Sequence, residues 1–306
     1  MIWPNNKDFA FSIIDDTDNA TISNIKPVYD LLKKHKIFIT KTVWIYPPKN
    51  SFTGETLKDP DYIKYVKDLK SQGFEIQLHN IGSGDFSRDE ILKGLEYFKS
   101  VFDHYPSMQI NHSTNSDNLY WGYKRYGSIL KNIIKFLFNN KRSFYGDVVS
   151  SPYFWGDYSK KHIKYIRNRV FNGINTLKYD PKMPYKEKNK PYSNYWFSSS
   201  DGHTLNEFNQ LLSPKNINKL KRQKGLCLIY THFSSGFVDT EGNLDKTFKE
   251  NIEFLSKQNA WIAPASEILD YLNKRNKIEY INDFYKNILD IKWLFNRIIK
   301  KIRYKL

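Results

Sequence analysis

The chain of 306 residues predicts an α/β fold built on a parallel sheet or barrel. Three observations predict it. Short apolar runs alternate with helical patterns over both outer thirds of the sequence. The runs are apolar throughout, as strands buried on both faces are. Polar residues able to do chemistry follow directly on several of the runs, and in a barrel such positions share one rim.

Phe9-Ala-Phe-Ser-Ile-Ile14 is the first buried strand, and Asp15 and Asp16 follow it. A helix over 24–35 is capped by Ser23 or Asn24, with Pro27 in its first turn. The β-branched run Ile37 to Ile45 is a strand, and a helix over 60–72 stops at Gly73. Phe74 to Leu78 is the next strand, followed by His79. Ser87-Arg-Asp-Glu90 is a capping box. The helix it opens places Ile91, Leu95, Phe98 and Phe102 on one face. Met108 to Asn111 is a short strand ending at His112. The alternation resumes with a helix over 213–223 and a strand Leu226 to Tyr230, after which comes His232. A helix over 244–258, a strand Ala260 to Ala263 and a helix capped by Ser266 complete it. Residues 1–273 then form one catalytic domain. Its stretch 122–193, irregular, basic and aromatic, is an insertion, and residues 274–306 are a separate tail.

A hydrophobic content of 40% supports one large core, and 16% aromatic residues argue against disorder. One cysteine, Cys227, rules out a disulfide framework and a multi-cysteine metal site. The start of the chain lacks a signal-peptide pattern, and no run reaches the roughly 20 apolar residues of a membrane span. These features predict a cytoplasmic protein. The net charge of +16 is concentrated in residues 122–190 and 282–306. Such patches suit phosphate, an anionic membrane or anionic glycans. No helix-turn-helix, zinc-finger or RNA-binding signature is present, so a specific nucleic-acid partner is not expected. In the tail, Ile291, Leu294, Phe295, Ile298, Ile299 and Ile302 share one helical face, with Lys292, Arg297, Lys300 and Lys301 around it. A basic amphipathic helix can lie on an anionic membrane surface, peripheral to the inner membrane. It can equally pack its apolar face on the protein's own core.

Two carboxylates and three imidazoles at strand ends suit a divalent metal with an open position. A second carboxylate could take a proton from water, and a further histidine could protonate a leaving amine. The strings carrying these residues resemble a known family. Phe-Ser-Ile-Ile-Asp15-Asp16 is similar to the first motif of the NodB-like polysaccharide deacetylases, carbohydrate esterase family four. Gly73 to His79 resembles the strand that leads into their metal-histidine motif, and Leu226 to His232 their final catalytic strand. The string from Ile110 to Gly122, with INTL and YTHFSSGF, resembles a subgroup associated with bacterial surface-polysaccharide biosynthesis.

The resemblance implies a distorted NodB-like (β/α) barrel that removes an N-linked acetyl group from a sugar. It implies Asp15 as general base, Asp16 and His79 as metal ligands and His232 as general acid. Zn²⁺ is the default metal. The family's second metal histidine corresponds here to Ser83, and its Arg-Pro-Pro motif is absent, with Asn111-His112-Ser113 near that place. His112 is therefore expected to complete an Asp-His-His ligand set. Trp121 and Trp155, each beside a glycine, are candidate sugar contacts. An N-acetylated sugar, a nucleotide sugar or a lipid-linked oligosaccharide would be the substrate. The alternatives are a glycan-binding relative without chemistry, and a Mg²⁺-dependent sugar-phosphate phosphatase using Asp16 and Asp18.

Overall fold

The computed structural model describes residues 3–137, 143–276 and 280–304. Residues 138–142 of the expected insertion, and 277–279 and 305–306 of the expected tail, lie outside the described residues. Eight strands run in chain order: β1 (Phe9–Asp15), β2 (Thr40–Val43), β3 (Glu75–His79), β4 (Met108–Ile110), β5 (Tyr165–Phe171), β6 (Tyr195–Asp201), β7 (Leu226–Thr231) and β8 (Ala260–Ile262). Their spatial order is β2-β3-β4-β5-β6-β7-β1-β8, all parallel. β1 also pairs with β2, through Ile14 with Thr40 and Asp15 with Lys41. That pairing closes strands one to seven into a barrel, and β8 pairs with the first half of β1. Every residue of β1 is buried, so an uninterrupted apolar run is what this position requires.

Eleven helices connect and cover the strands among the described residues: α1 (Ile22–Lys34), α2 (Pro60–Ser71), α3 (Arg88–Phe102), α4 (Ser128–Leu137), α5 (Gly156–His162), α6 (Thr176–Tyr179), α7 (Leu205–Leu211), α8 (Pro214–Arg222), α9 (Lys246–Ser256), α10 (Ala265–Asn276) and α11 (Asp283–Tyr304). The capping box of α3 forms as the sequence requires, Ser87 and Glu90 exchanging side-chain and backbone bonds. α1 begins two residues earlier than its pattern suggests. Thr21 is the cap, and Asn24 returns a bond to the Thr21 amide at 2.9 Å. Ser266 lies inside the first turn of α10 rather than before it, and its hydroxyl donates to Glu75 on β3.

Three features depart from the sequence reading. β6, between the expected insertion and the helix over 213–223, is a barrel strand that the sequence reading does not contain. The stretch expected as an insertion contains β5, a full barrel strand. Arg167, Asn168 and Arg169 interrupt its apolar pattern, yet all three are buried. The tail helix α11 packs on the barrel with its polar side. Asp290 accepts from Nε and Nη2 of Arg169, and both residues are almost fully buried. Lys286 pairs with Glu187, Lys300 with Asp201 and Glu207, and Asn296 binds Asn172. Ile291, Leu294, Phe295, Ile298, Ile299 and Ile302 all remain exposed.

Candidate metal centre

The rim at the C-terminal ends of β1, β3, β4 and β7 gathers Asp16, Asp18, His79, His112 and His232. Asp16 is the first residue after β1, and its amide donates to Thr231 O at 2.8 Å. A tight turn follows, in which the Asp18 amide donates to Asp16 Oδ1 at 3.2 Å. This folds Asp18 back over the strand end. His79 Nε2 lies 3.2 Å from both Asp16 Oδ1 and Asp18 Oδ1. His112 Nε2 lies 3.4 Å from Asp18 Oδ2. His232 Nε2 lies 3.6 Å from Asp16 Oδ2 and 3.9 Å from Asp18 Oδ2. One donor atom from each of Asp18, His79 and His112 falls within 4.8 Å of the others, as does a second set from Asp16, Asp18 and His232.

Each imidazole is aimed by its other nitrogen. His79 Nδ1 faces Ile110 O at 3.1 Å, His112 Nδ1 faces Asn115 Oδ1 at 3.1 Å, and His232 Nδ1 faces His203 O at 3.3 Å. An oxygen on Nδ1 selects the tautomer with Nε2 bare, which is how histidines are prepared as metal ligands. Asn80 extends this support. Its Oδ1 accepts from the His112 amide at 2.7 Å, and its Nδ2 donates to Asp117 and Asn118, both at 3.0 Å. Burial pushes the Asp117 carboxyl up to about 7.

Charge is distributed unevenly across the cluster. Burial opposes the Asp18 carboxylate, but His79 and His112 outweigh it and hold Asp18 well below the usual carboxylate range. Burial likewise works against protonated His112, and the Asp18 partner raises it nonetheless. Burial and the Asp16 charge push Tyr230 far above its ordinary value. Its hydroxyl therefore stays protonated and donates to Asp16 Oδ2. His79 Nε2 and Asp18 Oδ1 are both buried, face each other at 3.2 Å and make no hydrogen bond outside the cluster. A carboxylate oxygen and an imidazole nitrogen placed this way can share a metal ion, which would displace the proton between them. The donor set of carboxylate and imidazole fits a divalent metal.

Asp16, His79, His112 and His232 thus meet in one cluster. Asp15 does not enter it. Its Oδ2 pairs with Lys41 at 3.0 Å and accepts from Tyr29 at 2.8 Å, and its Oδ1 accepts from the Phe233 amide at 3.0 Å. All three side chains are buried. Consecutive residues of an extended chain point to opposite sides, so only one of the Asp pair can face the rim. Trp155 is 2% exposed and donates to Asp117 O at 2.7 Å, so its ring faces are covered by protein. Trp121 is partly exposed and lines a cleft beside the cluster. Ser83 is buried 3.5 Å from His112 Nε2.

Asp18 is the member of the cluster that the sequence reading overlooks as a partner of the histidines. Its signal is the string Asp16-Thr-Asp18, which the phosphatase alternative alone used. Tyr230 carries no signal of its own, since a tyrosine at the end of a buried strand is ordinary core.

No protein-family profile matches the sequence, and no curated relative matches it. Solved structures do share the fold. A Mycobacterium smegmatis chain described as a polysaccharide deacetylase superposes with a TM-score of 0.53 at 13% identity, covering 92% of this chain and 96% of that one. A Pseudomonas aeruginosa PAO1 chain described in the same way gives 0.53 at 10% identity, covering 90% and 95%. The allantoinase Puue gives 0.53 at 11% identity, covering 90% and 94%. The fold is that of the NodB-like polysaccharide deacetylases, a seven-stranded parallel (β/α) barrel.

Proposed function

We propose that this chain is a metal-dependent hydrolase that removes an acetyl or related acyl group from the nitrogen of a sugar in surface-polysaccharide biosynthesis. The observation that carries the reading is the convergence of three Nε2 atoms on two carboxylates, with His79 Nε2 and Asp18 Oδ1 buried 3.2 Å apart. Asp18, His79 and His112 would hold the metal, with Zn²⁺ the best match to these donors. When bound, such a metal polarises an acyl carbonyl and makes water more acidic. Asp16 takes the role expected of Asp15. It faces the cluster, Tyr230 fixes one of its oxygens, and the other lies toward His79. It accepts the proton of the attacking water as the carbon–oxygen bond forms. His232 keeps its Nδ1–H on His203 O, so its Nε2, 3.6 Å from Asp16 Oδ2, can take up the proton that Asp16 received from the water and pass it to the departing amine as the carbon–nitrogen bond breaks. The test is metal content and acetate release from N-acetylated sugars, for wild type beside Asp18→Ala, His79→Ala and His112→Ala. About one divalent metal per wild-type chain, lost in the variants together with acetate release, is the expected result. Full metal content in His112→Ala would sink the ligand set.

The reading includes a place of action. No helix of the described residues is long and apolar enough to cross a membrane. The outward faces of α11 and α4 nevertheless form one apolar surface, with Phe136 85%, Ile302 74% and Phe284 73% exposed. Exposed apolar clusters of this kind mark interaction surfaces. They lie in the two segments that carry the chain's positive charge. An anionic bilayer complements both properties, so the protein would work from the cytoplasmic surface of the membrane. Co-sedimentation with anionic but not neutral vesicles, lost in Phe295→Asp/Ile299→Asp, is expected. Equal sedimentation of that variant would refute it.

A further inference from the structure

A cleft of about 420 Å³ adjoins the metal-type cluster. Tyr230 forms part of its wall, and the same side chain reaches Asp16 with its hydroxyl. His203, whose carbonyl aims His232, lines it too. A molecule in the cleft therefore lies one side chain away from the proposed reaction centre.

The cleft is lined by five cations, Arg125, Arg167, Arg297, Lys300 and Lys301, and by one carboxylate, Asp201. Lys300 contacts Asp201 at 3.0 Å and Glu207 at 2.6 Å, and Arg297 reaches Asp201 at 3.4 Å. Those groups largely neutralise one another. Among the described residues Arg125, Arg167 and Lys301 pair with no carboxylate. Arg167 is withdrawn from bulk water, and Arg125 partly so. Arg167 is 6% exposed, stacks on the Tyr230 ring with its guanidinium 3.5 Å from the centroid, and has a buried Nη1 without an acceptor. Arg125 lies 4.2 Å from the Trp121 ring centroid, and its Nε is likewise buried without an acceptor. Both side-chain atoms of Asn168, also in the wall, lack partners. Burial, with Arg169, Arg297 and Arg167 close by, lowers the pKa of Arg125. Guanidinium groups held this way without a counter-ion are costly unless an anion completes them.

We infer that this cleft binds the phosphate or diphosphate group of a phosphorylated sugar, with Arg125 and Arg167 as its fixed donors and Lys301 at its rim. The planar forks of arginine match phosphate oxygens. Three unpaired cations exceed what a single carboxylate balances and suit a diphosphate, which carries two to three negative charges near neutral pH. The inference rests on the hydrolase reading only for what the phosphate is attached to. Binding of the anion does not depend on it. The same diphosphate chemistry occurs in nucleotide-linked and lipid-linked sugars.

The test is calorimetric titration of the full chain with inorganic pyrophosphate, with a uridine diphosphate sugar and with geranyl diphosphate. Pyrophosphate also binds divalent metals, so Asp18→Asn is titrated beside wild type. The expected result is binding in both, weakened at least about tenfold in Arg167→Met, the scale of one charged hydrogen bond. The rim variant Arg297→Gln/Lys301→Gln changes partly exposed residues and guards against misfolding at Arg167. It is expected to weaken binding similarly and to reduce its salt dependence. Tighter binding of the uridine compound supports a nucleotide-linked substrate, and tighter binding of the prenyl compound a lipid-linked one. Binding lost in Asp18→Asn but unchanged in both cleft variants would overturn the site, as would no binding of any of the three at millimolar concentration. Anion binding in a protein that retains no metal and releases no acetate would leave the cleft standing and remove the hydrolase reading.

Discussion

Asp15→Asn and Asp18→Asn separate a carboxylate that holds the fold from one proposed to hold the metal. Asp15 is fully buried and holds Lys41 at 3.0 Å, Tyr29 at 2.8 Å and the Phe233 amide at 3.0 Å. Burial alone would lower the Lys41 pKa, but the Asp15 carboxylate outweighs it and keeps it above its ordinary value. Replacing Asp15 by a neutral amide leaves a buried ammonium without its counter-charge, which costs about 3–5 kcal/mol. With an unfolding entropy of about 2.1 cal/mol/K per residue, that cost lowers Tm by roughly 5–8 °C in a chain of 306 residues. Metal content should not change. In Asp18→Asn the side chain is 13% exposed and contacts His79 and His112 rather than a buried cation. Its Tm without metal should stay within about 2 °C, while metal affinity falls more than the roughly 100-fold seen at most for outer-shell changes. Thermal unfolding with and without chelator, and metal analysis after desalting, read both quantities. An Asp15→Asn protein that keeps its Tm and loses its metal would refute the division of roles.

Chelation supplies a second check. Removing the metal from wild type should lower stability by about 2.7 kcal/mol for a metal held at 100 times its Kd, and should leave Asp18→Asn unmoved; an equal shift in both would contradict the ligand set. At the tail, Asp290→Ala strands the buried Arg169 guanidinium and should cost about 3–5 kcal/mol in urea unfolding, with α11 becoming open to protease; a change below about 1 kcal/mol would mean the helix is not anchored there. Asp117 gives a pH signature. Its carboxyl is raised to about 7 in the fold, so the folded state holds a proton that the unfolded chain releases near pH 4. Stability contributed by this group is full below pH 4 and lost as pH rises toward 7, by roughly 4 kcal/mol. Asp117→Asn should therefore gain on wild type between pH 4 and 8, and a flat difference across that range would refute the burial argument.

The sequence by itself determined the parallel α/β class, most strand positions and four of the five residues at the rim. It did so because buried parallel strands need continuous apolar runs, and because strand ends in a barrel share one face. The capping box at Ser87 was legible for the same local reason. What only the tertiary structure decided depends on contacts distant in the chain. Which of Asp15 and Asp16 faces the rim is fixed by Lys41 from the neighbouring strand. Asp18 joins the histidines through a turn whose geometry no periodicity reveals. β5 was hidden because Arg167 and Arg169 interrupt its apolar pattern; Asp290, 121 residues from Arg169, supplies the counter-ion that lets Arg169 be buried. The tail shows the limit most clearly. Periodicity identified two faces of α11 but not which of them docks, since burying a polar stripe requires partners that only the folded barrel brings into place.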